Sequence, residues 1–307
     1  MERYIVRRLI QTVIVLVIIS MMVFMMSRLT GNPVTLLLTE YSTEEDKVRL
    51  TKQLGLDKPL PQQYAIFLID AIRGDLGRSI RGDRSPALKL ILERLPSSLE
   101  LAVVSIVITL VFGLPLGVIS ALKKGSLTDA SARVMALLGQ SAPVFWIAIV
   151  AMYVFSVQLN LLPSSGYGRL QHYVLPAFSM GLFQVAAVTR LTRSGMLEAL
   201  GSEYIKLARI KGLGEQTVIW KHALRNSLIP ILTFMSTIFG RAITGAVIVE
   251  TIFAWPGVGR LAFQAVMERD YPVVQAVVLF MAFMFLFVNL VVDVLYAYID
   301  PRIRYTD

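Results

Sequence analysis

Few residues in this chain of 307 have the types and spacing that catalysis requires. Cysteine is absent, which excludes a disulfide framework, a thiol nucleophile and a thiolate-bound metal. The two histidines, His172 and His222, are fifty residues apart, and the span assignment below places them on opposite faces of a membrane, so they cannot share a metal ion. The G-x-x-x-x-G-K-[ST] phosphate loop is also missing, so the chain is not expected to hydrolyse nucleotide itself. We predict no catalytic, cofactor-binding or metal-binding residue.

The strongest functional signal is a basic segment that runs from Glu203 to Pro230 and reads EYIKLARIKGLGEQTVIWKHALRNSLIP. It lies between two apolar stretches, and its charge prevents it from crossing a bilayer. Residues 203–211 have a helical pattern, Gly212 and Gly214 permit a sharp turn with positive φ, and the helical pattern then resumes. Two short helices around a glycine turn predict an element that protrudes towards a soluble partner. The alternative is an amphipathic hairpin that lies on anionic lipid.

The first short helix of this segment is predicted to have an apolar and a solvated face. Tyr204, Leu207 and Ala208 fall on one face because of their i, i+3, i+4 spacing. The solvated side is expected to carry the basic residues Lys206, Arg209 and Lys211.

Bulk composition indicates that the elements around this segment cross a membrane. The chain is 55% hydrophobic and 17% charged, with a mean hydropathy of +0.65, whereas soluble domains carry about 25% charged residues. A transmembrane helix needs about 20 predominantly apolar residues. Six stretches meet this requirement approximately: residues 9–27, 101–122, 134–159, 174–189, 229–252 and 273–298. The first stretch is expected to be a retained span rather than a cleaved signal peptide.

The distribution of arginine and lysine predicts the orientation of these six spans. The N-terminus carries three such residues, the 122–133 connection three, the 190–225 segment seven and the C-terminus two, against three in the short connections of the other face. Basic residues in short loops mark the cytoplasmic side, whereas a loop beyond about 60 residues crosses regardless of charge. Both termini are therefore predicted to be cytoplasmic. The predicted regions are a terminus and first span (1–27), an extracytoplasmic loop region (28–98) and a core (99–307) with the basic segment at about 190–228.

A few polar residues inside the predicted spans require an explanation. Arg241 lies in the middle of the fifth span, and such a residue usually faces a cavity or a partner. It is nine residues from Glu250, about half a turn around the helix, so the two cannot pair within it. Arg241 either lines a pathway and meets a substrate carboxylate or pairs with a neighbouring span or partner. Glu250 and Asp293 are expected to be interfacial anchors or polar groups that stabilise a gate, and Pro115 and Pro143 are expected to kink their helices.

The outer region contains two predicted helical patterns. One is carried by EEDKVRLTKQLGL, and the other contains an aromatic and apolar stripe with Tyr64, Phe67, Leu68 and Ile72. The region is either a small folded cap on the membrane domain or a docking surface for an external partner.

The sequence resembles the integral-membrane permease of a binding-protein-dependent ABC importer, in the dipeptide, oligopeptide and nickel subfamily. The basic segment is similar to that subfamily's version of the "EAA" coupling loop. Three further stretches match: LGLDKPLPQQYAIFLIDAIRGDLGRS, FAWPGVGRLAFQAVMERDYPVVQA and NLVVDVLYAYIDPRIRY. The chain departs from the general pattern in two ways. Lys206-Leu207-Ala208 stands where Glu-Ala-Ala is usual, and the distance from Gly212 to Pro230 is longer.

This resemblance implies an all-α, type I ABC importer permease fold with six transmembrane helices, in a bacterial or archaeal cytoplasmic membrane. It implies that a cytoplasmic ATPase receives the coupling loop through Glu203, Tyr204, Ala208, Arg209, Lys211, Gly212 and Leu213. The implied partners are a second homologous permease, two ATPase subunits that bind the ATP and magnesium, and an extracytoplasmic substrate-binding protein; nucleic acid is not among them. Short peptides are the expected cargo, with nickel chelates, glutathione or other small solutes as alternatives.

The sequence gives less support to two other classes of function. An ion-coupled secondary transporter would favour inverted repeats or buried carboxylates at the membrane midplane, and a membrane enzyme would need a convergent catalytic or metal-binding set. Neither is visible in the sequence.

Overall fold

A computed structural model of the protein describes residues 2–30, 43–53 and 55–299. Some side chains inside helices, among them those of residues 239–245 and 293, lie outside the described part. Within these ranges the chain forms helices without any strand, and one antiparallel bridge joins Arg78 to Pro86. The all-α prediction is confirmed for the described residues.

The helices follow one another with short connections. They are α1 (Glu2–Thr30), α2 (Glu44–Gln53), α3 (Leu60–Ile72), α4 (Ala87–Leu122), α5 (Leu127–Ser141), α6 (Val144–Met152), α7 (Leu170–Leu200), α8 (Glu203–Ile210), α9 (Glu215–Thr217), α10 (Leu224–Gly245), α11 (Val247–Ile252), α12 (Val258–Met267) and α13 (Tyr271–Ile299). Wider π-helical turns, Tyr153–Gln158 and Val218–Ala223, follow α6 and α9. The chain divides into two compact units: residues 1–96 with 257–307, and residues 97–256. The predicted regions 1–27, 28–98 and 99–307 were defined by the side of the membrane on which each is expected to lie. The division into two compact units does not test that prediction.

Four described helices are long and apolar enough to cross a membrane: Ile5–Leu29, Ala87–Leu122, Leu170–Leu200 and Tyr271–Val292. The pair Leu127–Ser141 and Val144–Gln158 makes a fifth if it counts as one span. These helices coincide with five of the six predicted spans. The predicted span at residues 229–252 falls on α10 and α11, where many side chains are outside the described part, so that span stays a prediction.

The third predicted span is sharply bent. Its two helices meet at an angle of 104°, and Pro143 stands between them as the residue before the first turn of α6. Proline disfavours the helical conformation of the residue before it, and Ala142 is accordingly extended, with φ −84° and ψ 130°. The predicted kink at Pro143 is confirmed, and it is strong enough to end one helix and begin another.

In the first unit, α1 packs against α13 and α3. Phe24 of α1 is buried and contacts Tyr64 and Phe67 of α3, with ring centroids 5.5 and 5.7 Å apart respectively. The Nε2 of Gln275 on α13 donates to the Oγ of Ser27 on α1. These contacts support the predicted folded cap, since the aromatic stripe of α3 is used to attach the outer region to the first span.

In the second unit, α7 is the central helix and packs against α5, α6 and α10. Small residues allow α4 to approach it closely. A Cβ atom at Gly117 would lie 2.4 Å from the Cβ of Thr192, and one at Gly113 would lie 2.9 Å from Val188. Close approach through glycines four residues apart is a common way for helices to associate in membranes. A neighbouring core surrounds the fully buried Trp255, whose Nε1 donates to the backbone oxygen of Ser97.

Candidate functional site

Helix α8 is the first short helix of the basic segment, and the chain turns at a glycine two residues after its end. The sequence predicts the conformation of this glycine. Gly212 has φ +77°, and its N–H donates to the oxygen of Arg209 while the N–H of Leu213 donates to the oxygen of Ala208. This is the Schellman pattern of a helix C-terminus, in which the left-handed residue is usually glycine. Gly214 differs from the prediction, because it has φ −61° and stands before the first turn of α9. The sharp turn therefore depends on Gly212 alone.

The buried face of α8 holds this helix on the membrane domain. Ile205 is fully buried and Ala208 nearly so. They share a hydrophobic cluster with Val118 of α4, Met196 of α7 and Val218. The predicted apolar face was wrong in one respect: Ile205 and Ala208 face inward together, whereas Tyr204 and Leu207 do not. Both pairs have the spacing of a helical face, but the sequence does not show which of the two apolar faces packs against the membrane domain.

The opposite side of this segment presents apolar residues to the surroundings. Leu207 is 53% exposed and Ile210 82% exposed, and Tyr204 and Leu213 are also exposed. These four residues recur at every third position, and together they form what we call the coupling surface. Contiguous exposed apolar residues usually mark an interaction site. Leu207 and Ile210 were not among the predicted contact residues, although their i, i+3 spacing with Tyr204 carried the signal.

Charged residues of the segment stiffen the glycine turn. The guanidinium of Arg209 forms two contacts with the carboxylate of Glu215 across the turn, Nε to Oε1 at 2.7 Å and Nη2 to Oε2 at 3.2 Å. Within α8, the Nζ of Lys206 lies 2.7 Å from Oε1 of Glu203. Arg209, predicted to contact a partner, is thus already engaged in holding α8 to α9, and the exposed Lys211 is placed beside it at the helix end.

A buried ion pair joins the helix ends on which α8 rests. Asp129 of α5 is almost fully buried, and its two carboxylate oxygens accept from Nε and Nη2 of Arg193 on α7 at 2.7 and 3.0 Å. The Oγ of Ser120 on α4 and the N–H of Gly125 also donate to it, at 2.6 and 3.0 Å. Three helices are therefore tied together at one carboxylate. Sequence reasoning missed this pair, because its members are 64 residues apart.

Of the three charged residues that the sequence places inside the spans, only Glu250 has a described side chain. Arg241 is in α10 and Asp293 in α13, but the side chains of both lie outside the described part. Glu250 is fully buried and accepts from the Oγ of Ser98 at 2.6 Å. Its burial does not fit the predicted interfacial anchor, and the other predicted role, a polar group that stabilises a gate, stays a prediction. In the described part of the chain, histidine and acidic side chains form no cluster that could hold a metal ion.

Comparison with known proteins identifies the class of protein to which this geometry belongs. The model of the family described as "Binding-protein-dependent transport system inner membrane component" matches residues 113–305, and the model of the N-terminal part of these components matches residues 1–102. The chain belongs to this family. It is an inner-membrane permease of the ABC importer class, not an enzyme, and it acts with ATPase and substrate-binding partners.

Relatives match the permease over almost its whole length. A protein of Brucella abortus named a putative peptide transport system permease is 40% identical, over 99% of this chain and 100% of the relative. The dipeptide transport system permease DppB of Alkalihalophilus pseudofirmus is 36% identical, and the glutathione transport system permease GsiC of Escherichia coli 38%, with the same coverage.

Solved structures agree on the fold. The MetNI methionine ABC transporter matches 69% of the permease and 97% of the solved chain with a TM-score of 0.58, at 14% identity. An amino acid ABC transporter matches 68% and 94%, with a TM-score of 0.55 at 15% identity. The predicted type I ABC importer fold is confirmed.

Proposed function

We propose that this permease forms one half of the pathway through which an ABC importer carries short peptides across the cytoplasmic membrane. The observation that carries the proposal is the coupling surface, an exposed apolar face on a short helix that is firmly seated on α4 and α7. The peptide permeases among the full-length relatives support the choice of cargo. The proposed assembly contains a second homologous permease, two ATPase subunits that hold ATP and magnesium, and an extracytoplasmic substrate-binding protein. Both termini are proposed to be cytoplasmic.

The proposed mechanism is a mechanical one. A ligand shifts an equilibrium only by its different affinity for two states, so ATP bound to a partner must act through a rigid connection. Helix α8 supplies it, because Ile205 is buried against Met196 near the C-terminal end of α7, and α7 is a continuous helix of 31 residues. An ATPase that moves the coupling surface therefore also moves α7. The cargo passes between the two permeases without chemical change.

Glutathione is the second candidate cargo, since the permease is as similar to a glutathione permease as to the peptide permeases. Nickel chelates and other small solutes remain alternatives within the subfamily. The proposed pathway role of Arg241 bears on this choice, because an arginine in the pathway would meet a carboxylate of the cargo. Replacement of Arg241 by alanine is expected to reduce the uptake of anionic cargo more than that of neutral peptides.

The proposal is tested by purification and transport assays on the assembled importer. The permease is expected to co-purify with two ATPase subunits, and vesicles containing the complex should take up a labelled dipeptide only with ATP inside and binding protein outside. Competition by unlabelled glutathione distinguishes the two cargoes. A permease that is isolated as a self-sufficient monomer and transports without an ATPase would overturn the proposal.

A further inference from the structure

The first unit contains a basic cavity of about 730 Å³. Its lining includes five basic residues: Arg28, Lys52, Lys58, Arg78 and Arg84. Two acidic residues, Asp70 and Asp75, also line it, which leaves a net formal charge of +3. None of the five basic residues forms an ion pair with another described residue. The cavity is therefore an electropositive site whose charges are not neutralised by the surrounding described residues.

The cavity lies where two transmembrane helices reach the membrane surface. Arg28 is at the end of the span Ile5–Leu29, and Tyr271, another lining residue, begins the span Tyr271–Val292. The hydrogen bond from Gln275 to Ser27 holds these two helix ends together, and both of these residues line the cavity as well. Lipid headgroups occupy the same depth as the ends of transmembrane helices. A headgroup can therefore reach the cavity from the adjoining bilayer.

Two lining residues each carry a buried polar atom without a hydrogen-bond partner among the described residues: the Nε of Arg28, a donor, and the Oε1 of Gln63, an acceptor. Both atoms are closed off from the cavity space, so a ligand there meets other atoms of these side chains. Gln63 is only 9% exposed, and its orientation is fixed because its Nε2 donates to the backbone oxygens of Leu56 and Lys58, at 3.2 and 2.7 Å. Gln63 therefore holds in place the turn of Leu56 and Lys58, which borders the cavity.

We propose that this cavity binds the headgroup of an anionic phospholipid, with the phosphate at the guanidinium groups of Arg28 and Arg78. A phosphate supplies the acceptors that guanidinium groups bind in a fork geometry. Phosphatidylglycerol carries such a phosphate with a net negative charge, whereas the charge of phosphatidylcholine is balanced within its own headgroup. The same chemistry exists in soluble glycerophosphodiesters, but the position at two span ends favours the lipid. With both termini in the cytoplasm, the lipid belongs to the outer leaflet, where it would fasten α1 to the cap.

Lipid retention by the full-length permease in its complex tests this site. The complex is incorporated into nanodiscs of equal parts phosphatidylglycerol and phosphatidylcholine and extracted with mild detergent, and the retained lipids are quantified by mass spectrometry. The wild type is expected to retain phosphatidylglycerol preferentially. Arg28→Gln and Arg78→Gln should each reduce this retention about tenfold, which corresponds to about 1.4 kcal/mol of binding free energy. Arg73→Gln is the matched control, because Arg73 is an exposed arginine of the same region that is not among the lining residues.

Three results would overturn the proposal. One is equal retention of both lipids by the wild type, a measurement that needs no variant and so does not depend on whether a variant folds. Another is a loss with Arg73→Gln as large as that with Arg28→Gln. The third is a site that binds soluble glycerophosphoglycerol while no phosphatidylglycerol is retained, which would make the ligand a free phosphodiester rather than a lipid. None of these measurements involves peptide uptake. The lipid-site proposal can therefore be overturned while the proposed transport function stands, and the transport function can be overturned while the lipid site stands.

Discussion

Gly212 determines the direction in which the chain leaves α8, and replacing it by valine tests the coupling role of the turn. Its φ of +77° is a conformation that costs a β-branched residue about 1–3 kcal/mol. The strain falls on an exposed turn, so Gly212→Val is expected to leave membrane insertion intact while it displaces the coupling surface. Stimulation of ATPase activity by the loaded binding protein, and peptide uptake, should both fall. The two activities are measured in proteoliposomes of the assembled complex.

Gly214 provides the control for this substitution. It has φ −61°, and no atom lies within 4 Å of the position that a Cβ would take. Gly214→Val should therefore retain coupling. If Gly212→Val behaved like Gly214→Val, with uptake unchanged, the assignment of the turn to the coupling machinery would be wrong.

The coupling surface makes a separate prediction at its two most prominent residues. Leu207 and Ile210 are exposed apolar side chains on α8, and burial of such a side chain in an interface contributes about 1.5–3 kcal/mol. The double variant Leu207→Gln, Ile210→Gln is expected to lower the yield of ATPase subunits that co-purify with the permease. Leu127→Gln serves as the control, because Leu127 is 90% exposed at the start of α5 and lies outside the coupling surface. Equal ATPase recovery in both variants would rule out this surface as the docking site.

At the scale of elements, the close contact of α4 with α7 makes Gly117 intolerant of a side chain. A Cβ there would lie 2.4 Å from the Cβ of Thr192 and 2.8 Å from the backbone oxygen of Thr189. Overpacking of this kind costs about 1–3 kcal/mol, so Gly117→Leu should lower the melting temperature of the detergent-solubilised permease. Gly201→Ala is the matched control, since its nearest neighbours would be 3.5 Å away. An unchanged melting temperature for Gly117→Leu would contradict the close packing.

The Asp129–Arg193 pair connects three helix ends, and its loss should affect both stability and coupling. Asp129→Asn leaves the guanidinium of Arg193 without its buried counter-charge, so we expect a lower melting temperature and weaker stimulation of ATPase activity by substrate. Glu93→Gln is the comparison, because it breaks the exposed pair with Lys89, which lies outside the coupling loop, and exposed pairs contribute little. A double-mutant cycle with Arg193→Met isolates the interaction between the two residues. Additive effects of the two substitutions would show that the pair does not act as a unit.

At the scale of the whole molecule, local patterns predicted the elements better than their contacts. Hydropathy located five spans because an apolar run of sufficient length is a property of adjacent residues. Pro143 and Gly212 were predicted correctly for the same reason, since each acts on its own backbone. The buried face of α8 was not, because Tyr204 and Ile205 are both apolar and only the tertiary packing of α4 and α7 selects between them. Asp129 and Arg193 lie 64 residues apart, and no local pattern joins them.

The proposed orientation of the permease in the membrane rests on the distribution of charge alone. It can be measured directly because the chain contains no cysteine. Single cysteines can therefore be introduced without removing native ones. Lys211→Cys at the end of α8 and Ile72→Cys at the end of α3 replace exposed residues on opposite predicted faces. A membrane-impermeant maleimide added to intact spheroplasts should label the cysteine at position 72 and not the one at 211, and inverted vesicles should give the reverse. Labelling of both from one side would contradict the predicted topology, because three predicted spans separate residue 72 from residue 211, and an odd number of crossings places them in opposite compartments.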